Sequence, residues 1–358
     1  MNCKFREKIY VSDFISKLDG ELIEDYLIDT NKVGEKNIEI KYKNKYGFSK
    51  KNSITIDIID VTSPTVIVSN PYIVEVNSTD FSINKIFYAD DYDDDLEVKL
   101  LGKYDLTKVG EYPLQIIVTD KSNNQTSKDF ILKVITKPTT TPKSNSLSKE
   151  FTDYKEVYQK YKKNNTQIGL DISKWQGEVD FQKLKEQNVE FVMLKIGGQT
   201  KIDGEIKLDP KFHDNIKNAL ANNIKVGVYF YSYANDIQDA KKQAKWIVKH
   251  LKEYDIDLPV AFDWENWTNY SSFHISFNTL NNIATTFFEE IEKKGYQTLL
   301  YSSKYYLETI WYHENYNNWL AYYTTNNNYP NDYQMWQLCS DGKIAGIDTY
   351  VDINVMYH

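Results

Sequence analysis

Two carboxylates, Asp263 and Glu265, close the apolar run Leu258-Pro-Val-Ala-Phe262 in this chain of 358 residues. On a strand, side chains two apart point to the same side, with Cα atoms about 6.5–7 Å apart. Carboxyls held so close raise one another's pKa, which leaves a proton donor beside an anion. Cleavage of a glycosidic bond needs such a pair, one acid for the leaving oxygen and one anion to steady developing positive charge. Two more acids sit on other apolar runs: Asp171 in Gly169-Leu-Asp171-Ile-Ser-Lys-Trp175-Gln176, and Asp352 near the start of Tyr350-Val-Asp352-Ile-Asn354-Val-Met-Tyr357. Tyr231, Trp175, Trp264, Trp267, Tyr323 and Trp336 are candidates to stack on sugar faces while their polar tips bind hydroxyls. A single aspartate at a strand end is commonly a turn former or helix cap, and tryptophans commonly pack. The coincidence of several acids on converging strands is what favours hydrolysis.

Composition narrows the alternatives. A net charge of −8 leaves no basic surplus to neutralise phosphates, which argues against a nucleic-acid partner. Two cysteines, Cys3 and Cys339, make neither a disulfide scaffold nor a zinc site. The five histidines are scattered without paired spacing, so no metal and no cofactor is expected at the site. No apolar run reaches the roughly 18 residues of a membrane-spanning helix. The first residues show charges without an apolar stretch, so no signal peptide is visible.

The positioning elements fall in two differently built parts. A Pro-, Thr- and Ser-rich stretch, 137–150, reads as a solvated linker, and all seven tryptophans follow it. Before it, apolar and polar residues alternate with period two, as in Ile54, Ile56 and Ile58. A repeat maps Lys32-Val-Gly34-Glu onto Lys108-Val-Gly110-Glu, with matching apolar runs after each, giving expected β modules at 1–62 and 63–136. After the linker, strand-like runs at 168–172, 191–196, 226–231, 258–263, 298–301, 319–323, 334–338 and 351–355 alternate with amphipathic stretches such as 210–222, 237–254 and 277–294. Eight strands alternating with helices over 151–358 predict a (β/α) barrel, whose chemistry belongs at the C-terminal ends of its strands.

The second β module, with Tyr88-Ala-Asp-Asp-Tyr-Asp-Asp-Asp95 and Val118-Thr-Asp-Lys-Ser-Asn-Asn124, resembles bacterial immunoglobulin-like surface modules. That resemblance implies two small all-β sandwiches acting as spacers. Carboxylates at Asp90 to Asp95 suit a hard cation such as calcium, but the run lacks the Gly and Glu of an EF-hand loop and reads as a solvated loop.

The C-terminal part resembles the family 25 glycoside hydrolases, the Chalaropsis-type lysozymes. The motifs are Gly169-Leu-Asp-Ile-Ser-Lys-Trp-Gln-Gly177, Phe191-Val-Met-Leu-Lys-Ile-Gly197, Gly227-Val-Tyr-Phe-Tyr-Ser232, Phe262-Asp-Trp-Glu265, Trp319-Leu-Ala-Tyr-Tyr323, Met335-Trp-Gln337 and Gly346-Ile-Asp-Thr-Tyr-Val-Asp-Ile-Asn354. The resemblance implies hydrolysis of the β-1,4 bond between N-acetylmuramic acid and N-acetylglucosamine of bacterial peptidoglycan, by a monomer outside the cell or at the wall. It implies Glu265 as general acid and Asp263 as stabiliser of the charged intermediate or orienter of the 2-acetamido group. It implies that Asp171 and Asp352 complete the acidic floor and that Tyr231 lies beside the reacting sugar; Trp175, Trp267, Tyr323 and Trp336 stay candidate sugar contacts on their chemistry alone. The family's third strand often carries Tyr-His-Phe, where this chain has Tyr229-Phe230-Tyr231. A chitinase-type site would need aspartates where Leu258 and Ala261 stand. A non-catalytic wall-binding protein is the other reading, and retention of all four acids weighs against it.

Overall fold

A computed structural model describes residues 1–79, 81–136 and 151–358; the expected linker at 137–150 lies outside them. The described residues divide into two compact units, one ending at Thr136 and the other within 151–358.

The N-terminal unit holds two four-stranded sheets of the same plan. In the first, Ser49–Ile59 pairs antiparallel with Gly34–Asn44 and parallel with Asn2–Lys4, and Gly20–Leu22 flanks Gly34–Asn44. In the second, Gln125–Ile135 pairs antiparallel with Gly110–Thr119 and parallel with Tyr72–Glu75, and Glu97–Leu101 flanks Gly110–Thr119. The repeat in sequence is therefore a repeat in strand order. Period-two patterning sends one face of each sheet inward: Ile38, Ile40, Ile56 and Ile58 in the first, Leu114, Ile116, Val118, Phe130, Leu132 and Val134 in the second. The second half adds a separate pair, Thr65–Ile67 with Phe87–Ala89.

The C-terminal unit is a closed ring of eight strands: β1 Thr166–Ile172, β2 Phe191–Gln199, β3 Lys225–Tyr231, β4 Val260–Asp263, β5 Thr298–Ser303, β6 Asn318–Ala321, β7 Met335–Lys343 and β8 Val351–Tyr357. Six helices accompany it: α1 Tyr154–Tyr161, α2 Phe181–Glu186, α3 Phe212–Ala221, α4 Ile237–Leu251, α5 Phe277–Glu292 and α6 Lys304–Thr309. The stripe Leu280, Ile283, Ala284, Phe287, Phe288 and Ile291 of α5 is buried, and Ser276 caps its start by accepting from the Thr279 N–H. Inside the ring, Phe191, Met193, Ala261, Leu299, Tyr301, Trp319, Met335 and Met356 form one apolar cluster. Gly169 leaves room for it, since a Cβ there would stand 2.6 Å from Phe191 ring atoms.

The ring departs from the predicted barrel of uniformly alternating strands and helices. β1 to β7 pair parallel, but β8 is antiparallel to both β7 and β1, and no helix separates β6 from β7 or β7 from β8. Alternation has the same period in either direction, so the sequence pattern carries no sign of the reversal. The reversal matters for the acids. A residue near the start of β8 lies at the mouth where the other strands end, and Asp352 stands in register with Asp171.

Candidate active site

β4 ends at Asp263, and Glu265 follows just beyond it. The residue between them explains the spacing. Trp264 points away, fully buried against Trp267, Tyr270 and Phe273, and its Nε1 donates to the Ala234 carbonyl at 3.1 Å. This anchor holds Asp263 and Glu265 to one side. Asp263 is 4 % exposed, whereas Glu265 is exposed and lines an open cleft of about 500 Å³ with Tyr301, Lys304, Tyr305 and Tyr323.

The four predicted acids come together. Burial, then the Glu265 charge, holds the Asp263 carboxyl well above the usual carboxylate range, while the Lys195 ammonium opposes the shift. Glu265 is also raised, again first by crowding of its surroundings, and is relieved by its hydrogen bond with Asp263 and by Lys195. Two raised, hydrogen-bonded carboxyls share a proton, held more firmly at the deeper Asp263. One oxygen of Asp263, Oδ1, is buried with no hydrogen-bond partner. Asp352, pushed up to about 9 by burial and then by the Asp171 charge, holds the proton of the second pair.

Asp171 is pinned by amides. Its Oδ2 accepts from Gln337 Nε2 at 3.0 Å and Asn354 Nδ2 at 2.8 Å. Gln337 Oε1 in turn accepts from Tyr301 Oη at 2.9 Å and Tyr323 Oη at 3.0 Å, and Asn354 Oδ1 accepts from Trp319 Nε1 at 2.8 Å. Each amide is thereby locked with its NH2 toward Asp171, although burial still raises that carboxyl. Lys195, half-buried on β2, sits 4.7 Å from the Tyr231 ring centroid and 5.9 Å from that of Tyr229.

The expected aromatic contacts divide. Tyr231, in register with Asp263, is raised above the usual phenol range by burial and by the Asp263 charge. Tyr323 is 56 % exposed and lines the cleft. Trp175 is 72 % exposed on the turn after β1, with the Lys174 ammonium 4.8 Å from its ring centroid. Trp264, Trp267 and Trp336 offer no face to a sugar. Trp267 is 7 % exposed and stacked at 3.9 Å on Tyr306, and Trp336 is 1 % exposed with its Nε1 donating to the Tyr322 carbonyl. Position near the motif did not distinguish a platform from packing.

Lys195, Gln337, Asn354 and Tyr301 complete the site and were not singled out from sequence. Their signal was present: a lysine inside the apolar run 191–196, and side-chain amides inside the apolar strands β7 and β8. A polar residue on an otherwise buried strand needs a partner.

Residues 170–347 match the profile of the glycosyl hydrolases family 25. An autolytic lysozyme of Clostridium acetobutylicum is 29 % identical over 195 residues, 52 % of this chain and 54 % of that protein. The uncharacterized Escherichia coli protein YegX is 25 % identical over 192 residues, covering 52 % of this chain and 68 % of that one. The spore cortex lytic enzyme SleM of Clostridium perfringens aligns with a TM-score of 0.48 at 23 % identity, over 55 % of this chain and 68 % of that one. Through the domain that carries these acids, the chain belongs to the family 25 glycosyl hydrolases.

Proposed function

We propose that the barrel hydrolyses peptidoglycan at the β-1,4 bond between N-acetylmuramic acid and N-acetylglucosamine. The observation that carries this reading is the proton-sharing pair Asp263–Glu265, one member buried and the other open to a sugar-sized cleft. In the free enzyme the deeper Asp263 holds the proton. A substrate acetamido N–H donating to the orphaned Asp263 Oδ1 favours the ionised form there and moves the proton to Glu265. Glu265 then protonates the glycosidic oxygen as the C1–O bond breaks, and Asp263 offsets the positive charge that develops. Water adds to C1 and returns a proton to Glu265. Lys195 limits the pair to one proton, and the Asp171–Asp352 pair keeps the floor rigid and acidic. Tyr231, Tyr323 and Trp175 bound the groove.

All four acids belong to one barrel, so a monomer suffices. The substrate places the work at the cell wall, and no helix among the described residues is long and apolar enough to cross a membrane. The two repeated sheets fit immunoglobulin-like spacers at 1–62 and 63–136, and the ring is a (β/α)-barrel variant closed by one reversed strand.

Mass analysis of digested peptidoglycan tests the reading. Muramic acid at the new reducing ends supports it, and glucosamine there refutes it. Glu265→Gln should lower turnover by about 10³-fold while the protein stays folded. A variant that keeps its rate removes Glu265 from the reaction. A wall-binding protein without activity would release no reducing ends from either form.

A further inference from the structure

The N-terminal unit contains a second group of four acids. Asp60 follows strand Ser49–Ile59, Asp90 follows Phe87–Ala89, Asp120 follows Gly110–Thr119, and Asp93 lies in the loop between. The expectation of a solvated loop fails for two members of the acidic run: Asp90 is 1 % exposed and Asp93 6 %. Asp60 and Asp120 are equally buried.

Local amides fix these carboxylates. Asp60 Oδ1 accepts from the Thr62 N–H at 2.9 Å, and Asp90 Oδ2 accepts from the Tyr92 and Asp93 N–H groups at 2.9 and 3.0 Å. Asp93 Oδ2 accepts from the Lys121 N–H at 2.7 Å, and both oxygens of Asp120 accept from Asn124. Two oxygens of the group, Asp60 Oδ2 and Asp90 Oδ1, are left buried without any hydrogen bond. One carboxylate oxygen from each of the four lies within 4.8 Å of the others. Oxygens gathered this closely fit on one coordination sphere of radius about 2.4 Å, the calcium–oxygen distance. The charges acting on Asp60 are the carboxylates of Asp91, Asp120 and Asp93, and those on Asp90 are Asp91 and Asp60. The Arg6 cation acts on Asp91, outside the four, and buried oxygens without hydrogen bonds among like charges favour a bound cation.

We propose that Asp60, Asp90, Asp93 and Asp120 bind one calcium ion. The ion ties the last strand of the first sheet to the loops of the second half, where Asn124 Nδ2 already reaches the Asp60 carbonyl at 3.3 Å and Phe5 packs on Tyr92 at 4.9 Å. Calcium would therefore stiffen the N-terminal unit at its seam, independently of the barrel's chemistry.

Titration of the EDTA-stripped full-length chain with calcium chloride, in buffer containing magnesium, tests this by calorimetry. The expected result is one calcium per chain, with affinity lowered at least tenfold in Asp60→Asn and in Asp90→Asn. Both variants should fold, because each removes a buried repulsion. Terbium supplies a second readout with the ligands intact: Tyr92→Phe should cut tyrosine-sensitised terbium emission by at least half and leave calcium binding unchanged. Absence of calcium binding at millimolar concentration overturns the proposal. So does binding that survives both asparagine variants, or binding lost only in Asp263→Asn, which would put the ion at the barrel mouth.

Discussion

Four acids meet at the barrel mouth and four at the N-terminal seam, and they are held by different donors. At the mouth, Asp171 is bound by side-chain amides, Asp263 by its neighbour Glu265, and the Lys195 charge stands close by. At the seam, backbone N–H groups hold Asp60, Asp90 and Asp93 and supply no charge. Paired carboxyls with one open to solvent trade protons. Fixed, buried carboxylates that gather close together, two with an oxygen left unbonded, suit an ion. The carboxylate group is the same, and the partner of each oxygen decides the chemistry.

The contrast breaks first if Asp263 behaves as a binding group. Asp263→Asn should lower kcat by about 10²–10³-fold and leave KM within about threefold, because its charge acts on the transition state. Equal losses in both would make it a substrate anchor. Next in size is stability. Trp267→Ala empties a packed aromatic site and should cost about 3–5 kcal/mol in urea unfolding. Trp175→Ala, at an exposed position, should change stability by less than about 0.5 kcal/mol and weaken glycan binding severalfold. Reversed results would exchange platform and core.

The last effect depends on pH and concerns Asp352. Its folded pKa of about 9 lies above the unfolded value of about 3.9, so the folded barrel keeps a proton that the unfolded chain has lost. Stability on this account is highest below pH 4 and falls as pH rises toward 9. Asp352→Asn should flatten that slope and raise the barrel's unfolding temperature at pH 8, read by calorimetry. An unchanged slope would place the proton on another group.

Much of this was legible before any coordinates. Apolar runs located all eight strands, because a barrel strand is buried along most of its length, and the four acids stood at or near strand ends. Burial of Trp267 and Trp336 was not legible, since a tryptophan beside a motif reads alike whether Tyr306 covers it or water does. Gln337 and Asn354 were hidden for another reason: their value lies in Tyr301, Tyr323 and Trp319, which fix the amides from distant strands. The run Asp90 to Asp95 misled because charge density along a chain does not reveal which carboxylates the backbone draws inward.

The reversed strand makes the floor of the groove depend on the length of a short turn. Residues 344–350 set the pairing of β8 with β7, and Gly346, at a φ of 102°, shapes that turn. A deletion there that slips β8 by one residue would turn Asp352 and Asn354 from the lumen to the outer wall. The ring would still close, yet Asp171 would lose both its proton-bearing partner and one of its amides. A lineage could silence this enzyme with a three-nucleotide deletion that touches none of its acids.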